Sequence, residues 1–183
     1  MTDHKRFESF MRSYQNMVYT TAYRMLANEA EAKDISQEVF LKAYDRYAEI
    51  GDSPRVGGWL KTVTRNLCLN HLTRHRRRWR LFSDFKREGT DEDRDFEDTL
   101  ADERAVLAGS DDSKDQRALL DEAMEGLSRD QRAAIALFHF DDMPYQEIAR
   151  KLKVSLSKVK TDIMRGRQVL KAKLSHRRDE LGV

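Results

Sequence analysis

Cysteine is almost missing from this chain: Cys68 stands alone. A lone thiol excludes an intrachain disulfide, fits a reducing compartment and reads as a small buried hydrophobe. Proline is nearly as scarce, with two residues, and there are eight glycines. So few breakers, with few alternating β-branched runs, predict an all-α protein. No apolar run approaches the roughly 18–20 residues of a membrane span. The opening MTDHKRFESF has no apolar signal-peptide core, so the expectation is a cytoplasmic protein. A glycine-rich phosphate loop, a Ser-His-Asp or Cys-His arrangement and a cysteine cluster are also missing, and paired carboxylates occur only in charge-mixed tracts. Nothing asks for catalysis, so neither an enzyme nor a cofactor is expected. His71 and His75 stand four apart, as helical metal ligands do. No carboxylate or cysteine completes a set nearby, and the neighbouring arginines repel a cation, so no metal is expected.

Charge of both signs is plentiful. Lys plus Arg number 34 and Asp plus Glu 32, a formal +2, so the distribution matters more than the sum. From about residue 83 to 115 acidic residues recur with few apolar residues between them. So long a loop inside one compact domain is improbable, and it reads as a linker with at most a short helix over Leu100 to Leu107. The expected architecture is two small helical domains, residues 1–80 and 116–183, joined by a flexible acidic linker over 81–115.

The most telling stretch is MPYQEIARKLKVSLSKVKTDIMRGRQVLKAKL, Met143 to Leu174. Pro144 suits the first turn of a short helix whose apolar face is Ile148, Ala149 and Leu152. Val154 is placed to plug the corner, and Ser155 to cap the next helix. That second helix turns Val159, Ile163, Leu170 and Leu174 inward and shows Ser157, Lys158, Lys160, Thr161, Arg165 and Arg167 on its other face. A short helix, a tight corner and a basic helix make a helix-turn-helix pattern, whose second helix enters the DNA major groove. Ahead of it, Leu119, Leu120, Ala123, Met124 and Leu127 space a helix from Gln116. Ser128 with Gln131 is a capping-box signal for another.

In the first half, Phe7, Phe10, Met11, Tyr14, Val18, Ala22, Met25 and Leu26 keep helical spacing. Asn28 with Glu31 resembles a capping box opening a second helix, which buries Ala32, Ile35, Val39, Ala43 and Tyr47 and runs to about Ile50. After a turn at Gly51-Asp52-Ser53-Pro54, a third helix follows Gly57-Gly58 with Trp59, Leu60, Val63, Leu67 and Leu72 inward. Its outer side carries Lys61, Arg65, Asn66, Asn70 and Arg74, and leads into RHRRRWR at Arg74 to Arg80, including Arg76 and Arg77. Five arginines in seven residues, with Trp79 among them, read as a phosphate-binding strip beside a stacking surface. The second helix shows Asp34, Gln37, Glu38 and Lys42 outward, which on composition alone is a solvated face.

Both halves together resemble bacterial sigma factors of the extracytoplasmic-function group. The run Ala32-Lys33-Asp34-Ile35-Ser36-Gln37-Glu38-Val39-Phe40-Leu41-Lys42-Ala43-Tyr44 resembles the region 2 helix of that family, and Trp59-Leu60 with Arg65-Asn66 its next motif. Leu127, Gln131-Arg132, Glu147-Ile148-Ala149, Leu152, Val154-Ser155, Val159-Lys160 and Arg165-Gly166-Arg167 follow region 4. The resemblance implies that Asp34, Gln37 and Glu38 meet the clamp coiled coil of core RNA polymerase. It implies that Lys61, Arg65, Asn66, Asn70, Arg74, Arg76 and Arg77 meet the −10 promoter element, and that the loop from Gly51 to Gly58 holds a flipped base. Ser155, Ser157, Lys158, Lys160, Thr161 and Arg165 would meet the −35 element, with the second domain also on the polymerase flap. An anti-sigma factor is a further expected partner, and the acidic linker is expected to thread into the polymerase. Lys153 stands where relatives usually have glycine, Ser157-Lys158 replaces a common Gly-Thr pair, and Asp162 replaces a frequent basic residue beside the groove-facing surface. A stand-alone helix-turn-helix regulator accounts for the second half but not for DISQEVFLKAY or the arginine strip.

Overall fold

The computed structural model describes residues 3–83 and 114–181, with side chains described for residues 4–76 and 118–176. The expected linker thus lies largely outside the described residues, as do the side chain of Arg77 and the short helix expected over Leu100 to Leu107. Among the described residues there are eight helices and no strand. The chain divides into two compact units, Met1–Arg76 and Arg77–Val183.

The first unit is built on α1 (Asp3–Leu26) and α2 (Glu29–Asp45), an antiparallel hairpin with a two-residue corner. Val18, Ala22, Met25 and Leu26 of α1 and Ala32, Ile35, Val39 and Ala43 of α2 are buried, as their spacing predicts. Ala27 closes α1 with a positive φ of 42°, and the Asn28 side chain accepts the Glu31 N–H at 3.0 Å to open α2. The expectation that α2 continues to Ile50 needs correction. It stops at Asp45, Arg46 leaves helical geometry, and a single turn, α3 (Tyr47–Ile50), follows. The break re-aims Tyr47, whose ring stands edge-on to Phe7 and Phe10 of α1 at 5.2 and 5.3 Å.

Helix α4 (Val56–Ser83) takes Gly57 and Gly58 into its first turn and runs unbroken through the arginine cluster. Its buried line is Val56, Leu60, Thr64, Cys68, Leu69 and Leu72. Trp59, Val63 and Leu67, expected inward, are half-buried on the flanks. Thr64 was not expected inside; its hydroxyl donates to the Leu60 carbonyl at 2.7 Å, which removes the cost of burying it. Cys68 is fully buried.

The second unit comprises α5 (Lys114–Glu125), α6 (Arg129–His139), α7 (Tyr145–Leu152) and α8 (Leu156–Leu181). Its centre is α6, with Ala133 through Leu137 all buried. Three alanines in that run keep the helix slim enough to be surrounded. Gly166 of α8 lets the two backbones approach, since a Cβ there would sit 3.0 Å from Ile135 Cγ1. The capping box at Ser128 and Gln131 forms in both directions, at 3.3 and 3.2 Å.

One buried charge is structural. Arg132, 7 % exposed, reaches back to the end of α5. Its Nε donates to the Met124 carbonyl at 3.0 Å, and one terminal nitrogen donates to the Glu125 and Leu127 carbonyls at 3.1 and 2.7 Å. The first two close α5, where a helix leaves carbonyls short of intrahelical donors and carries the negative end of its dipole, and the third lies two residues beyond. Replacing Arg132 with Met keeps the stem but removes all three charge-assisted hydrogen bonds. We expect a loss of about 3 kcal/mol in the second unit, read as lost amide-exchange protection in α5 and α6 while α1 and α2 keep theirs.

Candidate nucleic-acid interface

The corner between α7 and α8 is tight and completely bonded. Lys153 adopts the left-handed conformation (φ 55°, ψ 50°). Its N–H donates to the Arg150 carbonyl at 3.3 Å, and the Val154 N–H to the Ala149 carbonyl at 3.1 Å, the Schellman arrangement. Two residues on, Ser155 Oγ accepts the Lys158 N–H at 3.1 Å and starts α8. Pro144 lies one residue ahead of the position expected for it, as the N-cap of α7. Ile148, Ala149 and Leu152 are buried, and Val154 half-buried. These contacts set the direction in which α8 leaves.

Along α8 the buried line is Val159, Ile163, Gly166 and Leu170. At about 100° per residue, Ser157, Thr161, Met164 and Gln168 stand opposite that line. Lys160 flanks them on one side and Arg165 on the other, both exposed. Met164, 40 % exposed, and Gln168 were not expected as surface features. Both follow from the buried spacing, had it been carried round to the far side. A mixed polar, basic and thioether surface of this kind can read base edges and thymine methyls in a major groove.

Three expected features of this helix sit elsewhere. Lys158 keeps 40% of its side chain exposed but is drawn aside by two carboxylates: its Nζ lies 3.0 Å from Asp162 and 3.1 Å from Asp130 of α6. Burial alone would lower the pKa of this ammonium, but hydrogen bonds and charge from the two carboxylates outweigh it and hold the value above normal. Asp162, expected beside the groove-facing surface, is 9 % exposed and turned toward Lys158. Arg167, expected outward, lies over the Phe138 ring at 5.1 Å and donates through Nε to His139 at 3.4 Å. In each case the partner comes from α6 or from one turn along α8.

On α4, Asn66, Asn70 and Arg74 follow one another at four-residue steps along one exposed row. Lys61 is exposed and Arg65 half-buried, in a second row well round the helix, so the expected single strip is two. Arg76 is half-buried. His71 points not to His75 but across to α2, with Nε2 3.2 Å from Glu31 Oε1. Among the described residues no group of three or more His, Cys, Asp or Glu is placed to hold a metal ion.

Asp34, Gln37 and Glu38 are exposed on α2 as expected, but they border something the sequence reading missed. Leu41 and Tyr44 are 67 % and 53 % exposed on the same face. With Phe7 and Met11 of α1 and Gln37 of α2 they line a groove of about 990 Å³. Gln37, Leu41 and Tyr44 recur at four- and three-residue steps, offset from the core line Ile35, Val39 and Ala43. That second stripe was the available signal. An apolar helix–helix groove edged by amides and by charge of both signs, Glu8 and Lys33, is suited to another protein's helix.

Comparison with known proteins decides between families. The sigma-70 region 2 signature matches residues 10–78. The sigma-70 region 4 signature matches residues 117–170. The chain belongs to the sigma-70 family, in its extracytoplasmic-function group. It is 31% identical over 178 residues to the ECF RNA polymerase sigma factor SigE of Mycolicibacterium smegmatis, covering 95% of this chain and 63% of that one. It is 28% identical over 176 residues to SigW of Bacillus subtilis, covering 94% and 90%. Among solved structures, the sigma factor RpoE of Bartonella quintana, in complex with the anti-sigma factor NepR, aligns with a TM-score of 0.46 and 24% identity over 93% of this chain and 98% of that one.

In this sigma factor the α1/α2 groove and the α4 rows therefore belong to region 2, and α5 through α8 to region 4. The lysine at the region 4 corner carries backbone strain, with a φ of 55°. A left-handed residue other than glycine costs roughly 1–2 kcal/mol, and glycine returns about 0.4–1 kcal/mol of that through the freer unfolded chain. Lys153→Gly should therefore stabilise region 4 by about 0.5–1 kcal/mol, seen as a higher denaturation midpoint with an unchanged m-value.

Proposed function

We propose that this sigma factor binds core RNA polymerase and directs it to promoters, with region 2 on the clamp and the −10 element and region 4 on the flap and the −35 element. Region 2 is assigned residues 1–80 and region 4 residues 116–183, with 81–115 as the acidic linker. The factor acts where polymerase acts, in the cytoplasm, and supplies binding and positioning rather than catalytic chemistry. An anti-sigma factor is a further partner under the same reading. The observation that carries it is the pairing of two sigma regions, in order, with two chemically different exposed surfaces: an apolar groove on α1 and α2 and a polar, basic face on α8. Two weak DNA sites on one chain gain effective concentration only if something fixes their separation, and polymerase is the natural fixture.

A stand-alone regulator would use the α8 face and leave the α1/α2 groove without a role. Run-off transcription with core polymerase and genomic fragments, followed by start-site mapping, separates the two. A sigma factor confers specific starts on core enzyme, and a regulator confers none. The groove gives a sharper test. Tyr44 also packs edge-on to Phe7 at 4.9 Å, so changing it would disturb the hairpin. Leu41 is the cleaner site: Leu41→Ala should change stability by less than about 0.5 kcal/mol. The same variant should weaken core binding about tenfold or more, as loss of a buried interface anchor does. Gln37→Ala with Glu38→Ala should lower affinity in the same direction. Unchanged affinity in both variants removes the groove from the polymerase interface.

A further inference from the structure

We propose that Asp130 and Asp162 lower the sequence-independent affinity of region 4 for DNA without touching it, by holding the Lys158 ammonium against region 4 and away from phosphate. The proposal rests on the reading that the exposed face of α8 meets DNA. Lys158 is the third residue of α8, in the first turn, where a recognition helix enters the groove between two phosphate strands. A lysine there would ordinarily seek phosphate, a contact that strengthens binding to every sequence alike.

The geometry prevents this. Lys158 Nζ is held at 3.0 Å by Asp162 and at 3.1 Å by Asp130, which reaches across from the first turn of α6. The Asp162 side chain is only 13% exposed, so its charge is poorly screened and its need for a cation strong. Drawing Lys158 out to a phosphate would break both pairs. Lys160 and Arg165 lie on the exposed face. Sequence-independent affinity is thus restrained at one position of the recognition helix while base-reading positions stay displayed. A contact made alike to every sequence raises affinity for all of them, so withholding it lowers the free chain's hold on non-promoter DNA.

The full chain is titrated against a fluorescent 30-base-pair duplex of arbitrary sequence over about 50–200 mM salt, the range in which phosphate contacts show most. Asp130→Asn should bind about three- to tenfold more tightly at the low end, with a log–log salt slope steeper by about 0.9 for one added phosphate contact. Asp162→Asn, with its melting followed to verify folding, should act in the same direction. In a Lys158→Gln background Asp130→Asn should have no such effect, an outcome that distinguishes release of this lysine from a general change of charge. Lys160→Ala with Arg165→Ala, which should bind more weakly, tests the face itself. If that pair weakens binding while Asp130→Asn and Asp162→Asn bind as wild type, the inference is overturned and the face stands. A gain that persists without Lys158 overturns it equally. If the Lys160 and Arg165 variant also binds as wild type, α8 does not meet DNA and the inference falls with that reading. Run-off transcription reports separately on whether the chain is an initiation factor.

Discussion

Helices this closely joined must satisfy their own ends, and that constraint shapes both units. Each α-helix leaves four N–H and four C=O groups without intrahelical partners, and corners of two or three residues leave little room for water. At the corner before α6 the problem is solved twice. Ser128 and Gln131 bond the amides that open α6, while Arg132, one residue further on, turns its guanidinium back onto the carbonyls that close α5. The residue that caps one helix is thus planted in the next, so α5 and α6 cannot reorient independently. Since α6 is the helix against which α7 and α8 pack, the direction of the DNA-facing helix follows from that bond set. The buried charge is tolerated because it meets dipoles rather than hydrocarbon.

The same reasoning separates the two exposed surfaces by chemistry. Leu41 and Tyr44 cannot remain in water without cost, and both stand off the region 2 core line of Ile35, Val39 and Ala43. An apolar groove that survives on a charged protein gains by being covered, and helical packing of a partner covers it well. The α8 face has the opposite character: Ser157, Lys160, Thr161, Arg165 and Gln168 remain hydrated until displaced by equally polar groups. Binding through it is exchange of hydrogen bonds and release of counterions rather than burial of apolar area, so it is weak alone and sensitive to salt. Under the proposed function, a groove that fixes the chain on polymerase and a helix that reads DNA would be complementary in strength as well as in partner.

Much of this was legible in the sequence, and the failures share a cause. The caps at Asn28, Ser128 and Ser155, the core lines of α1, α2 and α8 and the strained corner at Lys153 all follow from local rules, because cap and capped group lie within three residues. The break at Arg46 was not legible: it depends on where the rings of Phe7 and Phe10 lie, some forty residues earlier. Lys158, Asp162 and Arg167 were placed by counting round one helix. What decides them is Asp130, Phe138 and His139 on another helix, more than twenty residues away. The burial of Arg132 is not legible either, because its acceptors are backbone carbonyls, which every sequence has and none displays. Leu41 and Tyr44 were within reach, but the polar letters of DISQEVF drew attention from the apolar stripe beside them.

Near-neutral charge follows from the same economy of contacts. A DNA-binding chain with 34 basic residues would adhere to any duplex unless its 32 acidic residues restrained it. Placement decides whether they can. Exposed pairs along one helix, such as Glu29 with Lys33 at 2.6 Å, are screened by solvent and bind their cation loosely. A carboxylate that is itself partly buried, such as Asp162, holds its partner against competition from phosphate far more firmly, because drawing the cation away leaves a charge in a poorly hydrated place. Arg167 is withdrawn by a different route, stacked on Phe138 and bonded to His139. Two of the cations that helical counting assigns to the DNA-facing side of α8 are therefore engaged by the protein's own packing. What remains exposed is a smaller set, with Lys160 and Arg165 at the edges, Met164 and Gln168 between them and Thr161 half-buried at the centre.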